Sequence, residues 1–227
     1  MPYGYEISDL DKEESIRMLR IIGELAEGFD KLSDIEPAVT IYGSARIGAD
    51  DELYAQTEEI AHRLGQMGFS IITGGGPGVM EAANKGALRA GVTSVGLNIE
   101  LPEEQVCNSY TTKSITFDHL FARKVMLVKY AVAFIIMPGG LGTLDELTEV
   151  LTLMQTHKIK PFPVILFCSE YWKGFLDWLQ SSVLTREFIS EDELNLLIVC
   201  DYPDEVIEAV QRWHTKQEVV GRKALLK

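Results

Sequence analysis

The stretch VAFIIMPGGLGTLDELTEVLTLMQ, residues 132–155, decides the fold. Its first six residues are apolar without alternation, which is typical of a β-strand buried on both faces. The PGGLGT segment then predicts a tight turn, and apolar residues recur after it at helical spacing to about residue 157. Such a strand–glycine–helix unit lets backbone amides and a helix amino end approach an anion.

The same order of strand, turn and helix recurs on both sides of this stretch. The segments SIITG (70–74) and PVILF (163–167) are also apolar without alternation, and glycine turns follow strands at Gly43 and at Gly74–Gly78. This alternation predicts an α/β fold, a Rossmann-like doubly wound parallel sheet with helices on both faces. Because parallel strands end at one edge of a sheet, we expect the three glycine turns to meet there.

The pattern divides the chain into three segments. Residues 1–36 are expected to form a helical extension, with an amphipathic helix over 8–32 that begins at Ser8 or Asp9. Residues 37–216 form the Rossmann-like domain, and residues 217–227 form a tail. Within the domain, residues 98–117 are expected to be irregular apart from a short strand near 114–117.

Composition excludes several classes of protein. The chain has 21 Lys and Arg against 34 Asp and Glu, a formal charge of −13, so no basic surface for nucleic acid is expected. The longest apolar stretch, residues 130–138, is far shorter than the roughly 20 residues that span a bilayer. Three scattered cysteines without C-x-x-C and four histidines without H-x-x-x-H predict neither a disulfide framework nor a metal site. We therefore expect a cytoplasmic protein.

The glycine turns do not match the common nucleotide motifs. Neither G-x-G-x-x-G nor G-x-x-x-x-G-K-[ST] occurs. A single glycine turn also has a purely steric use at the end of a strand.

The helix that follows the PGGLGT turn carries a polar pair. Thr143 and Glu146 are three residues apart and share a helix face, so a hydroxyl and a carboxylate are available beside the turn. The same spacing also fits a capping box, in which Glu146 would only stabilise the start of its own helix. Both interpretations are open at this point.

Three segments together resemble the LONELY GUY family, whose members are often described as lysine decarboxylase-like. They are PGGLGTLDE at 138–146, ITGGGPGVMEAANKGA at 72–87, and the Arg123-Lys124 pair in FARKVML. The resemblance covers about residues 38–214 and is closest to longer, bacterial-type members. It implies hydrolysis of the N-glycosidic bond of nucleoside 5′-monophosphates, such as AMP and cytokinin riboside monophosphates, to free base and ribose 5-phosphate.

The resemblance also implies roles for individual residues. Arg123 and Glu146 are the implied catalytic residues, and the chemistry agrees, because a carboxylate can stabilise positive charge on the ribose or position a water. The implied substrate-binding residues are Gly43, Ser44, Gly75, Gly76, Glu104, Lys124, Gly139, Gly140, Gly142, Thr143 and Thr152. Lys124 lies about 100° further round the helix than Arg123, so one of the two could be a solvated charge. No cofactor is implied.

A non-catalytic nucleotide sensor or carrier is the alternative function. Phosphate binding needs the glycine turn but not the carboxylate, so the presence of both Arg123 and Glu146 favours the enzyme. Literal lysine decarboxylation needs a lysine that holds pyridoxal phosphate, and no lysine here has a recognisable setting for it.

The partners expected are a nucleoside monophosphate and further copies of the chain. The resemblance implies a homodimer or a higher homo-oligomer in which one subunit completes the site of the other. The aromatic residues Tyr171, Trp172, Phe175 and Trp178 follow helical spacing. We interpret them as core or subunit contacts rather than as a platform for stacking a base.

Overall fold

The computed structural model describes residues 14–35, 37–101 and 107–225, with side chains described between 16 and 215. The helices are α1 (Glu14–Lys31), α2 (Glu52–Gln66), α3 (Val79–Ala90), α4 (Leu120–Lys129), α5 (Leu141–Gln155), α6 (Ser169–Trp178), α7 (Glu191–Leu194) and α8 (Pro203–Leu225), and a π-helix covers Leu179–Leu184. The strands are β1 (Ala38–Tyr42), β2 (Ser70–Thr73), β3 (Ser94–Ile99), β4 (Lys113–Phe117), β5 (Ala131–Ile136), β6 (Val164–Phe167) and β7 (Leu197–Cys200). None of the described helices is both long and apolar enough to cross a membrane.

The seven strands form one parallel sheet in the order β4-β3-β2-β1-β5-β6-β7. The chain builds outward from β1 to β4 and then crosses back, so that β5 pairs with the other edge of β1. In such sheets ligands bind beyond the carboxyl ends of the two strands where the order reverses. Here those ends lead into Gly43 and into Gly139–Gly142, which the topology therefore places side by side.

The five inner strands of the sheet are buried on both faces, as their unbroken apolar runs predict. Every residue of β1, β2, β3 and β6 is buried, and so are five of the six residues of β5. Helices α2, α3 and α8 form one core with the sheet, and α1, α4, α5 and α6 form the other. The predicted Rossmann-like doubly wound sheet is confirmed.

Several boundaries differ from the sequence prediction. The helix expected to end at residue 181 ends at Trp178 and continues as the π-helix. Helix α8 continues to Leu225, because residues 215–225 contain mostly good helix formers and no proline. The short strand expected near residues 114–117 is confirmed as β4. Ser8 and Asp9, where a helix start was expected, lie outside the described residues.

Candidate active site

An open cleft of about 960 Å³ lies at the carboxyl edge of the sheet, between the turns that follow β1 and β5. Both turns, the first residues of α4 and α5, and a rim of apolar side chains form its walls. The lining residues are Gly43, Ser44, Ala45, Arg46, Ile47, Leu53, Met80, Ile99, Leu101, Leu120, Arg123, Pro138, Gly139, Gly140, Leu141, Gly142, Thr143, Glu146 and Tyr171. Of the predicted site residues, the cleft brings together Gly43, Ser44, Arg123, Gly139, Gly140, Gly142, Thr143 and Glu146.

The amino end of α5 faces this cleft without a side-chain cap. The helix begins at Leu141, and its N-cap residue, Gly140, has no side chain that could bond the first amides. The N–H groups of a first helical turn have no partner within the helix and carry a partial positive charge. This end of α5 can therefore donate several hydrogen bonds to an anion.

Thr143 is packed against this turn and is almost fully buried. A Cβ on Gly139 would lie 2.2 Å from Thr143 Oγ1 and 3.0 Å from Ser44 N, so only glycine fits there. The approach of these three residues draws the turns after β1 and β5 together.

The turn after β1 forms the opposite wall. Ser44 N donates to Pro138 O at 3.0 Å, Val79 N donates to Ser44 O at 3.0 Å, and Arg46 N donates to Ser44 Oγ at 3.1 Å. These bonds fix Ser44 between two elements and direct the chain so that Arg46 lines the cleft. Within the described residues, Arg46 forms no ion pair with a carboxylate, so its charge is available to a ligand. The sequence prediction had not included Arg46.

Glu146 and Arg123 face each other in the inner part of the cleft. Arg123 Nη2 lies 3.4 Å from Glu146 Oε1, and the two side chains are only 13% and 15% exposed. The capping-box interpretation of Glu146 is wrong, because Gly140 and not Thr143 is the N-cap residue. The carboxylate therefore faces another helix across the cleft instead of bonding to the start of its own.

Burial raises the pKa of Glu146 to about 7. The positive charges of Arg123 and Lys124 lower this pKa, and the negative charges of Asp145 and Glu149 raise it, but removal from water is the largest cause. A carboxyl group with a pKa near neutrality can both take up and release a proton at physiological pH, as a general acid or base must.

Helix α4, which carries Arg123, is held on both sides. Thr40 Oγ1 of β1 donates to Leu127 O at 2.7 Å, and His119, the N-cap residue of α4, contacts Glu24 of α1 with 2.7 Å between Nδ1 and Oε1. A Cβ on Gly74 would lie 2.8 Å from Met80 Sδ and 3.6 Å from Arg123 Nη1, so it would crowd the methionine and only touch the guanidinium. The first glycine of the turn after β2 therefore lies within contact distance of Arg123.

Lys124 does not line the cleft. Its Nζ lies 2.6 Å from Asp145 Oδ2 and 3.3 Å from Glu149 Oε2, both on α5. These carboxylates raise the pKa of Lys124 against the opposing effect of burial. The structure therefore separates the Arg-Lys pair: Arg123 faces the cleft, and Lys124 ties α4 to α5.

Gly75 and Gly76 do not line the cleft. Both are buried, and Asn108 binds them through its backbone N–H to Gly75 O at 2.9 Å and its side-chain amide to Gly76 O at 3.0 Å. Asn108 also bonds to Asn84, whose side-chain oxygen accepts from Thr73. This buried polar network shapes the turn after β2 as a support for the site.

Two further predicted residues are not brought to the cleft in the described structure. Thr152 is exposed, donates to Thr148 O at 2.7 Å, and lines a separate apolar cavity of about 230 Å³ beside Trp178. Glu104 lies outside the described residues.

Tyr171 is a site residue that the sequence interpretation missed. Its hydroxyl donates to Gly139 O, and its ring lines the cleft. The neighbouring Trp172 is 1% exposed, so the core interpretation of the aromatic cluster is confirmed for that residue. The signal that could have identified Tyr171 is its position in the chain. Tyr171 lies in the first turn of the helix that follows β6, and β6 pairs with β5, so Tyr171 is placed near the PGGLGT turn.

Among the described residues, no group of three or more His, Cys, Asp or Glu side chains is arranged to hold a metal ion.

A family model described as "Possible lysine decarboxylase" matches residues 80–210. A rice (Oryza sativa subsp. japonica) protein named cytokinin riboside 5′-monophosphate phosphoribohydrolase LOG is 24% identical over 186 residues, which are 80% of this chain and 75% of the relative. A Rhodococcoides fascians protein with the same enzyme name is 26% identical over 181 residues, which are 77% of this chain and 89% of the relative.

The fold is similar to that of a Moco carrier protein from Chlamydomonas reinhardtii. The TM-score is 0.55 at 23% identity, and the match covers 79% of this chain and 98% of the other. At this identity the likeness concerns the fold alone. The family model, in contrast, matches more than half of the chain, and the matched region contains Arg123, Glu146 and the PGGLGT turn. The chain therefore belongs to the "Possible lysine decarboxylase" family, which is the LONELY GUY family.

Proposed function

We propose that this protein hydrolyses the N-glycosidic bond of nucleoside 5′-monophosphates to a free base and ribose 5-phosphate. The observation that carries the proposal is the largely buried pair of Glu146 and Arg123, 3.4 Å apart, in the same cleft as the uncapped amino end of α5. A protein that only binds an anion needs the amino end of the helix and no carboxylate beside it. A buried carboxylate with a pKa near 7 beside it is the arrangement that chemistry at the sugar needs.

In this proposal the 5′-phosphate binds the first amides of α5, with Thr143 and Arg46 beside it. A phosphate accepts several charge-assisted hydrogen bonds at once, so this contact is strong. Because the phosphate is remote from the glycosidic bond, its binding energy positions the ribose against Glu146. A nucleoside without the phosphate loses this positioning.

The reaction then needs one water and one carboxylate. The bond from C1′ to the base nitrogen breaks with its electron pair going to the base, and positive charge builds on the ribose. The ionised Glu146 stabilises that charge and accepts a proton from the water whose oxygen bonds to C1′. The departing base takes up one proton from the solvent and Glu146 returns its proton to the solvent, so the products are neutral base and ribose 5-phosphate.

The relatives support a nucleotide substrate. The rice and Rhodococcoides fascians proteins are both named as phosphoribohydrolases of cytokinin riboside 5′-monophosphates. In this chain the rim of the cleft carries Leu101, Leu120 and Leu141, which are 48%, 54% and 84% exposed. Exposed apolar side chains at the rim of the cleft suit the flat, apolar faces of a purine, so we propose AMP as the first substrate to test.

Incubation with AMP should therefore release adenine and ribose 5-phosphate, and kcat/KM for adenosine should be at least about 100-fold lower because the phosphate contacts are absent. Chromatography of the reaction measures the free base. Binding of AMP without release of adenine, at high enzyme and after long incubation, would contradict the enzymatic proposal and leave a nucleotide carrier.

The same assay tests Arg46. Arg46→Gln should raise KM for AMP about tenfold, because one charge-assisted contact to the phosphate is lost, and should leave adenosine unaffected. Arg212→Gln is the matched control, since Arg212 is 81% exposed on α8 and outside the cleft. Equal effects of Arg46→Gln on AMP and adenosine would show that Arg46 does not contact the phosphate.

We also propose that the chain forms a homo-oligomer. The neighbouring helices α1 and α4 expose the apolar side chains of Met18, Leu19, Ile22, Phe121 and Val125, each at least 44% accessible. Several exposed apolar side chains on two helices that contact each other are typical of a subunit interface. Light scattering should give at least about twice the chain mass of 25.4 kDa, and the mass of one chain would contradict this proposal.

A further inference from the structure

We propose that the Tyr171 hydroxyl is a positioning group that fixes the peptide between Gly139 and Gly140 and so aims the Gly140 N–H at the substrate phosphate. The inference rests on the proposed function, because it assigns the phosphate to the PGGLGT turn. Its basis is the hydrogen bond that Tyr171 donates to Gly139 O at the wall of the cleft.

The argument begins with the geometry of one peptide unit. In a trans peptide the carbonyl oxygen and the following N–H point in opposite directions, so the direction of Gly139 O sets that of Gly140 N–H. Both flanking residues are glycines, which resist rotation of the peptide less than other residues do. A rotated peptide would present a carbonyl oxygen to the phosphate where an N–H should be, and would repel it.

Tyr171 supplies the restraint that the two glycines lack. Among the described residues, its hydroxyl is the single hydrogen-bond donor to Gly139 O. The next carbonyl along, Gly140 O, is already held by Leu144 N at 3.0 Å within the first turn of α5. The peptide between the two glycines is therefore the part of the turn whose direction depends on a side chain from another helix.

The position of Tyr171 is itself firmly determined. Cys168, the N-cap residue of α6, has φ 75°, a conformation that costs free energy for a residue other than glycine. The surrounding contacts maintain it: Tyr171 N donates to Cys168 O at 3.1 Å, and Ser169 N donates to Asp201 Oδ1 at 2.7 Å. The Tyr171 ring also packs edge-on against the buried Trp172, with 5.0 Å between centroids. The first turn of α6 thus holds the hydroxyl in place.

The test is Tyr171→Phe, which removes the hydroxyl and keeps the ring. Calorimetric titration with AMP and with adenosine is made in proteins that also carry Glu146→Gln, so that the nucleotide is not consumed. We expect about tenfold weaker binding of AMP, because one charge-assisted hydrogen bond is lost, and unchanged binding of adenosine. Tyr202→Phe is the matched control, since Tyr202 is 66% exposed and lies outside the cleft, and should leave both affinities unchanged.

The outcomes separate this inference from the proposed function. Unchanged AMP affinity in Tyr171→Phe overturns the inference, and so does an equal loss for AMP and adenosine, which would mean that the hydroxyl shapes the pocket generally. A selective loss for AMP supports it, even if the protein with Glu146 intact releases no adenine, in which case the hydrolase proposal alone fails. Failure of the parent protein to bind AMP overturns both.

Discussion

Glu146→Gln should lower the rate of AMP hydrolysis about 10³-fold and leave the affinity for AMP within a few-fold of its original value. The amide has nearly the size of the carboxyl group but cannot carry the negative charge that stabilises the sugar cation or accept a proton from water. Glu146 lines the inner part of the cleft and lies outside the PGGLGT turn, so phosphate binding should persist. Single-turnover hydrolysis and calorimetric titration with AMP measure the two effects separately.

The pH dependence gives this prediction a second readout. Since the pKa of Glu146 is raised to about 7, kcat/KM of the unmodified protein should increase as pH rises through 7 and the carboxylate forms. Glu146→Gln should lack this increase. Glu149→Gln is the control, because Glu149 lies on the same helix and pairs with Lys124. It should keep the rate at high pH, and full activity in Glu146→Gln would refute the catalytic role.

Glu146→Gln should lower the activity but increase the free energy of unfolding at high pH. The pKa of the Glu146 carboxyl group rises from 4.5 to about 7 on folding. The free energy of unfolding of the unmodified protein should therefore decrease as pH increases through this interval. At pH 8 Glu146→Gln should therefore be more stable than the unmodified protein by up to about 3 kcal/mol, whereas near pH 4 the two should be alike. Urea denaturation at the two pH values measures this, and a difference that does not change with pH would mean that the carboxyl group is well hydrated.

The central architecture could be predicted from the sequence because it depends on local patterns. Runs such as residues 132–137 are apolar on both faces, and only a covered parallel sheet buries both. Once the strands are parallel, the glycine turns must gather at one edge. The meeting of Gly43 with Gly139, and of Arg123 with Glu146, follows from that topology and from the family motifs.

The placement of the other site residues could not be predicted, because it depends on side-chain partners that are distant in the sequence. Gly75 and Gly76 were expected in the pocket but are covered by Asn108, about 30 residues further on, through bonds that no local pattern reveals. Lys124 was expected to bind substrate but pairs with two carboxylates of α5. Tyr171 looked like one member of an aromatic stripe. Its role depends on how the first turn of α6 lies against the turn after β5, the strand that pairs with β6.

Gly139→Ala should lower kcat/KM for AMP at least about 100-fold, mainly through a higher KM. The new Cβ would lie 2.2 Å from Thr143 Oγ1, 2.8 Å from Thr143 Cβ and 3.0 Å from Ser44 N. Rotation of the threonine side chain can move its hydroxyl but not its Cβ, so the backbone at the start of α5 must shift. Such a shift misaligns the amides that hold the phosphate, and overpacking of this kind also lowers the free energy of unfolding by about 1–3 kcal/mol.

Two glycines with open surroundings make this prediction specific. Gly140→Ala meets no atom within 4 Å and has a negative φ, so it should leave the free energy of unfolding unchanged, although the residue lines the cleft. Gly174→Ala, in the exposed face of α6, should leave AMP hydrolysis unchanged and stabilise the helix by up to about 1 kcal/mol. If Gly139→Ala instead behaves like Gly174→Ala in both assays, the turns after β1 and β5 are not packed closely enough to fix the amides, and the phosphate must be held elsewhere.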